Sequence, residues 1–216
     1  FPMAPRLQFL LDHGVIHGAP EAHQLVKVQL ETMDRGGIHD HIGGGFHRYA
    51  ADPHWGIPHF EKMLYDNAQL LRVYAEASVA LNTPRFAEVA HGIAQYMLRE
   101  LRAESGGFYS SQAAHSDGVE GAYYVWQPDE IVAHAPNPEA FLAAYGVTQA
   151  GNFAGGKSVL IRQLDAPAPQ ALHAQREALL KARQVRTPPG TDKKQVVAWN
   201  GLAISALARA GRLLDE

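Results

Sequence analysis

What constrains this chain most is the order in which its segments recur. Apolar residues at helical spacing mark helices over 6–16 and 21–35, on either side of the break Gly18-Ala19-Pro20. The second ends at Gly36-Gly37, in the manner of a helix C-terminal cap. Two more follow around the tight turn Asn82-Thr83-Pro84, one from Pro58 to about Leu81 and one over 85–102. The latter carries Phe86, Val89, Ile93, Met97 and Leu101 on its apolar stripe and runs out at Gly106-Gly107-Phe108. The chain thus echoes itself: helix, short turn, helix, Gly-Gly-apolar, long polar loop, in units of about seventy residues. Short turns on one side and long loops on the other predict antiparallel helix hairpins whose elaborated loops share one rim.

The first long loop is the chemically richest stretch. Residues 36–59 hold five of the twelve histidines (His39, His41, His47, His54, His59) and the glycines Gly36, Gly37, Gly43, Gly44 and Gly45. The loop feeds a predicted helix opened by Pro58, which suits a first helical position, with Glu61 near the positive end of the dipole. Phe60, Met63, Leu64, Asn67, Leu70, Leu71, Tyr74, Ser78 and Leu81 then recur at steps of three and four, an apolar stripe. On that helix His59, Lys62, Asp66 and Gln69 would share a second face. The plain alternative is a solvated face, supported by the i,i+4 pairs Glu61–Tyr65 and Lys62–Asp66.

The second long loop predicts a small β-hairpin from Gly107–Tyr109 and Ala122–Trp126, with residues 110–121 as its turn. Beyond Trp126 the expected pieces are short helices over Pro128–His134 and Pro138–Tyr145, an extended piece over Val159–Leu164, a surface helix over Gln170–Arg186, and a last helix over Asn200–Leu214.

A length of 216 residues with 46% hydrophobic content fits one soluble domain. A net charge of -3 leaves no basic excess for a phosphate backbone, and no run approaches the ~20 apolar residues of a membrane span. The start lacks a signal-peptide pattern, so a cytoplasmic location is expected. Without cysteine there is no disulfide, thiolate or cysteine-zinc chemistry. The abrupt ends, Phe1-Pro2 and Leu214-Asp215-Glu216, read as those of a fragment.

Three motifs compete for a function. Gly151–Ser158 fits the G-x-x-x-x-G-K-[ST] phosphate loop, but a helical pattern precedes it and an extended one follows, the reverse of the required context. The clustered histidines suggest a metal, yet there is no H-E-x-x-H, and loop histidines are more often hydrogen-bonded or solvated; no metal and no cofactor is expected. Sugar chemistry needs an acid/base pair, donors for hydroxyls and an aromatic platform. His47, Arg48, Tyr49, Trp55, His59, Glu61, Lys62, Tyr65 and Asp66 supply all three.

Residues 36–70, GGFYSSQ at 106–112, EGAYYVW at 120–126, Gly151-Asn152-Phe153 and residues 198–211 resemble the thioredoxin-domain-containing family that includes spermatogenesis-associated protein 20. The resemblance implies an (α/α)6 barrel similar to N-acylglucosamine 2-epimerase and related glycosidases, with the family's N-terminal thioredoxin-like domain absent. It also implies a pocket formed by the loops before Pro58 and after Gly106. One departure is Ala113-Ala114-His115-Ser116 where the family tends to have Asp-Ala-Asp-Ser. Another is length, since six such hairpins need roughly twice this chain.

The expectation is therefore an all-α fold with a small β-hairpin in a loop: a single domain, 1–216, forming part of an (α/α)6 toroid built from antiparallel hairpins. Its function would be carbohydrate binding or processing, epimerase-like or hydrolase-like, with a noncatalytic scaffold as the alternative and enzyme status open. His47, His59, Glu61 and Asp66 are the catalytic candidates, His47 and His59 first for proton transfer. Arg48, Tyr49, Trp55, Lys62, Tyr65, Asn67, Trp199 and Asn200 are the candidates for holding substrate. The expected partners are a sugar or other small molecule, with neither nucleic acid nor membrane, and self-association or a partner protein would cover the open barrel edge.

Overall fold

A computed structural model describes residues 1–215 and is mainly helical, with eight α-helices among them. The helices α1 (Ala4–His17) and α2 (Pro20–Arg35) form a hairpin around Gly18, whose φ of 62° a side chain would strain. A long excursion then carries strands β1 (Tyr49–Ala50), β2 (Pro58–His59) and β3 (Lys62–Met63) before α3 (Leu64–Ala80) and α4 (Pro84–Tyr96) make a second hairpin. The end of α4 widens into a π turn over Met97–Leu101.

The second excursion holds β4 (Ser111–Gln112), β5 (His115–Ser116), β6 (Val119–Glu120), α5 (Pro128–His134), α6 (Pro138–Ala144), α7 (His173–Arg183) and β7 (Thr191–Asp192), and α8 (Val197–Leu214) closes the chain. The strands form β1–β2, β3–β4–β7 and β5–β6, all antiparallel.

Helix α3 is the axis of the molecule. Leu64, Leu70, Leu71, Val73, Tyr74 and Ala77 are buried on it, and α1, α4 and α8 all pack against it. The N-terminal halves of α1, α3 and α8 line one groove and their C-terminal ends line another, so these three helices run parallel. Glu76 ties them together, accepting from Gln8 at 2.6 Å and from Arg209 at 2.9 Å. Short turns sit at one end and the long excursions at the other, as the segment order predicts.

The repeat has a different register from the one its glycines suggest. Gly44-Gly45-Phe46, not Gly36-Gly37-Ile38, matches Gly106-Gly107-Phe108: all four of these glycines have positive φ, and each Phe bridges back to the end of the preceding segment, Phe46 to His39 and Phe108 to Arg102. Asn67 on α3 and Asn200 on α8 then grip the two phenylalanine backbones in the same way.

Two further expectations are corrected. The helix does not begin at Pro58 but at Leu64, because Tyr49 pairs with His59 and Lys62 with Gln112 in ladders that engage the backbone over 58–63. The predicted hairpin instead lies inside its predicted turn, where Asp117 and Gly118 take the positive φ of a two-residue connection between β5 and β6. The expected surface helix is α7, exposed at His173, Glu177 and Lys181 and buried along one face at Gln175, Leu179 and Arg183, where Leu179 joins Ile42, Trp126, Ile131, Phe141, Tyr145 and Leu160 in a second core. Residues 151–158 form a turn closed by Phe153 and Lys157, and the chain leaves it extended over 159–163 rather than opening a helix that could hold a phosphate. No helix among the described residues is long and apolar enough to cross a membrane.

Candidate functional site

The strand over 58–63 divides the candidate residues between two places. Along it, Phe60 and Lys62 turn inward while His59 and Glu61 stay half-exposed, the alternation that an extended chain imposes.

Inward lies an ionic hub. Lys62 Nζ donates to Asp40 Oδ2 at 2.7 Å and to Gly44 O at 2.8 Å, while Arg183 donates to Asp40 Oδ1 at 2.8 Å. Burial, only partly offset by Asp40, pulls the Lys62 ammonium down to about 8. Burial opposes ionisation of Asp40, but Arg183 and Lys62 hold its carboxyl well below the usual carboxylate range. The ammonium also lies 4.3 Å from the Tyr96 ring centre and 5.0 Å from that of Tyr124. A second hub, Asp34, receives Arg85 at 2.7 and 2.9 Å, Arg162 at 3.1 Å and His39 at 3.2 Å. Together these hubs bolt the histidine-rich loop to α4 and α7.

Outward, at the N-terminal end of α3, the remaining groups gather. Arg48 Nη1 donates to Glu61 Oε2 at 2.7 Å. His59 stacks on Tyr49 at 4.9 Å and meets Glu120 Oε1 through Nδ1 at 2.6 Å, with Glu61 Oε2 at 3.9 Å from its other nitrogen. Tyr65 packs edge-on against Trp199 at 4.8 Å. Asp66, between these groups, is mostly buried, and its Oδ2 has no hydrogen-bond partner. Burial, reinforced by Glu61 and opposed by Arg48, pushes its carboxyl up to about 7. A mostly buried carboxyl pushed upward in this way, close to a guanidinium and a second carboxyl, is the arrangement general acid–base chemistry needs.

Arg48, Tyr49, His59, Glu61, Tyr65, Asp66 and Trp199 thus meet at one rim. The others do not join them. His47 is buried, with Nδ1 on Phe60 O at 3.0 Å and its ring against Phe60 and Tyr124; burial drives its pKa well below the usual imidazole value. Lys62 is spent on Asp40, and because it and His59 lie on strands before α3 begins, they share no helix face with Asp66. Asn67 clamps Phe46 and Asn200 clamps Phe108, while Trp55, at φ 63°, packs over Gly36 and accepts from the Ile38 N–H at 3.1 Å.

Sequence reasoning missed Asp40, although it lies inside the loop, because nothing local showed that Lys62 and Arg183 would converge on it. It also missed Glu120, whose meeting with His59 follows from the β5–β6 hairpin. His115, opposite Glu120 in that hairpin, and Ala113, just before it, are exposed, on positions where acids would face solvent.

Among known proteins, no family model matches the chain. Along 100% of its length it is similar to spermatogenesis-associated protein 20 of Homo sapiens, 36% identical over 33% of that protein. The Rattus norvegicus protein of the same name is 38% identical, with 99% of this chain and 32% of that protein covered. An uncharacterized protein of Caenorhabditis elegans is 33% identical, with 100% and 35% covered. The chain therefore spans about a third of the length of the curated relatives it matches.

Proposed function

We propose that the rim at the head of α3 binds, and acts on, a sugar or a similar polyhydroxylated small molecule. The observation that carries this reading is Asp66, a mostly buried carboxyl whose Oδ2 has no partner, close to the Arg48–Glu61 pair and pushed up to about 7 by burial. In its protonated form it would donate to a ring or leaving-group oxygen, with Glu61 or His59 as the complementary base, each within reach of the other. Arg48 would hold hydroxyls, and the Tyr65–Trp199 pair would offer a platform for the apolar face of a ring. His47, first on composition, drops out as a proton carrier because its ring is sealed under Phe60 and Tyr124.

The parallel α1, α3 and α8, with α2 and α4 as their hairpin partners, support the finer reading of an incomplete (α/α)6 toroid like the barrel of the thioredoxin-domain-containing family. Residues 1–216 would be one such unit within a longer protein, its open flanks covered by further hairpins or by a second copy.

A noncatalytic scaffold is favoured by one specific observation: the buried Lys62, His47 and Asn67, with the half-buried Asn200, are all spent on locking loops. Calorimetric titration of the chain with a panel of neutral and acidic monosaccharides, repeated on Asp66→Asn and His59→Ala, separates the two. Saturable binding lost in variants that still melt cooperatively supports the sugar site. No binding in the parent chain, with both variants strongly destabilised, establishes the scaffold.

A further inference from the structure

The β5–β6 hairpin meets the first long loop at two adjacent residues, His59 and Phe60. Glu120 Oε1 lies 2.6 Å from His59 Nδ1, a contact across 61 residues of chain. The next residue, Gly121, has a φ of 73° and faces the Phe60 ring so closely that a Cβ there would fall 2.5 Å from it. A glycine at 121 therefore lets the hairpin close on Phe60, and that approach carries the Glu120 carboxylate to the neighbouring imidazole. The hairpin is itself held in place, by the pairing of Glu120 with His115 and by the Gly121 N–H, which donates to Ala114 O at 3.0 Å.

The orientation of the His59 ring follows from these contacts. Tyr49, paired with His59 in the β1–β2 ladder, stacks on it at 4.9 Å with 19° between the planes. A carboxylate only accepts, so Nδ1 carries a proton whether the ring is neutral or charged. Nε2 is then the nitrogen that takes and gives the exchangeable proton. It lies 3.9 Å from Glu61 Oε2, too far for a hydrogen bond. Glu61 is engaged with Arg48 at 2.7 Å and would have to leave that pair to act as a base.

We propose that Glu120 is the positioning residue of the rim: it holds His59 in the Nδ1–H form, so that Nε2 is the proton acceptor and Asp66 the donor. This narrows the base from Glu61 or His59 to His59, and it gives the second long loop a part in the chemistry. That Nε2 takes its proton from a sugar hydroxyl rests on the reading of the rim given above; the Glu120–His59 dyad does not.

The test is long-range 1H–15N spectroscopy of the histidine rings in the whole chain at pH 8, alone and with D-glucose, D-mannose or D-galactose. His59 is expected in the Nδ1–H form. Glu120→Ala should admit the Nε2–H form, and Glu120→Gln, whose amide oxygen accepts the same bond, should restore Nδ1–H. A sugar that binds should shift the Nε2 resonance in the parent chain and in Glu120→Gln but not in Glu120→Ala. The Nε2–H form in the parent chain overturns the proposal whether or not the variants fold, as does an Nδ1–H form that persists in Glu120→Ala. A sugar that binds by calorimetry without moving Nε2 overturns the role of that nitrogen. The expected tautomers in a chain that binds none of the three sugars uphold the dyad and count against the sugar reading of the rim.

Discussion

Asn67 holds Phe46 from both sides: the Phe46 N–H donates to Asn67 Oδ1 at 2.7 Å, and Asn67 Nδ2 donates back to Phe46 O at 3.0 Å. Asn200 repeats the grip on Phe108 with the same pair of distances, 2.7 and 3.0 Å. Each amide also donates to the carbonyl four residues earlier, Met63 or Val196. The clamp therefore fastens a glycine turn to the head of the next parallel helix, and it marks the true period of the fold.

Truncating the first clamp strands two buried backbone groups. Asn67→Ala should lower stability by about 2–4 kcal/mol, the usual penalty for two unsatisfied buried partners. The half-buried Asn200 should respond by about 1–2 kcal/mol, since water reaches its partners more readily. Urea denaturation of both variants checks the order, and equal losses would contradict it.

Asp40 is the anion that makes two buried cations tolerable. Asp40→Asn leaves Lys62 and Arg183 without a carboxylate and should cost about 3–5 kcal/mol at pH 7, more than any rim substitution. The folded pKa of Asp40 lies below its unfolded value, as does that of Asp34. Their contribution is present above about pH 4 and is lost as pH falls through the still lower folded values. Denaturation at pH 7, 5 and 3 should show the parent chain weakening toward acid and Asp40→Asn weakening less.

How much of this was legible follows the periodicities. The hairpins α1–α2 and α3–α4 were readable as helices, but the buried face of α2 was not: Leu25 and Val28, whose spacing with Met33 marked that helix, are exposed, and Val26 and Leu30 are buried with Met33 instead. The segment 58–63 was misread because Phe60, Met63 and Leu64 fit a helical stripe, while Phe60 and Lys62 fit a strand only once Lys62 is known to be buried. An inward lysine reverses the polarity signal on which both patterns depend. The rim was half legible. Arg48, Tyr49, Glu61, Tyr65 and Asp66 are close in sequence, whereas Glu120 and Trp199 reach it through pairings that no local pattern encodes.

The flanks of the helix layer carry apolar side chains in the open. On α1 Phe9 is 68% and Ile16 73% exposed, and on α8 Ile204 is 62% exposed. The isolated chain is expected to self-associate, with sedimentation velocity showing species above the monomer at micromolar concentration, and Ile16→Lys with Ile204→Lys returning it to a monomer. A monomeric parent chain that binds no apolar dye would remove the case for covered flanks.

Asp66 gives the sharpest reading of the rim because its pKa moves opposite to that of Asp40. Its folded value, about 7, lies above the ordinary 3.8 of an unfolded aspartate, so the folded state binds the proton more tightly. Its stabilising contribution is complete below about pH 4 and disappears as pH rises through about 7, where the mostly buried carboxyl must ionise beside Glu61. Asp66→Asn keeps the shape and removes the titration. The variant should match the parent near pH 5, exceed it in melting temperature near pH 8, and show a flatter profile between. If the two profiles run parallel across that window, the carboxyl is ionised throughout, Arg48 outweighs burial, and Asp66 cannot serve as the proton donor proposed for the site.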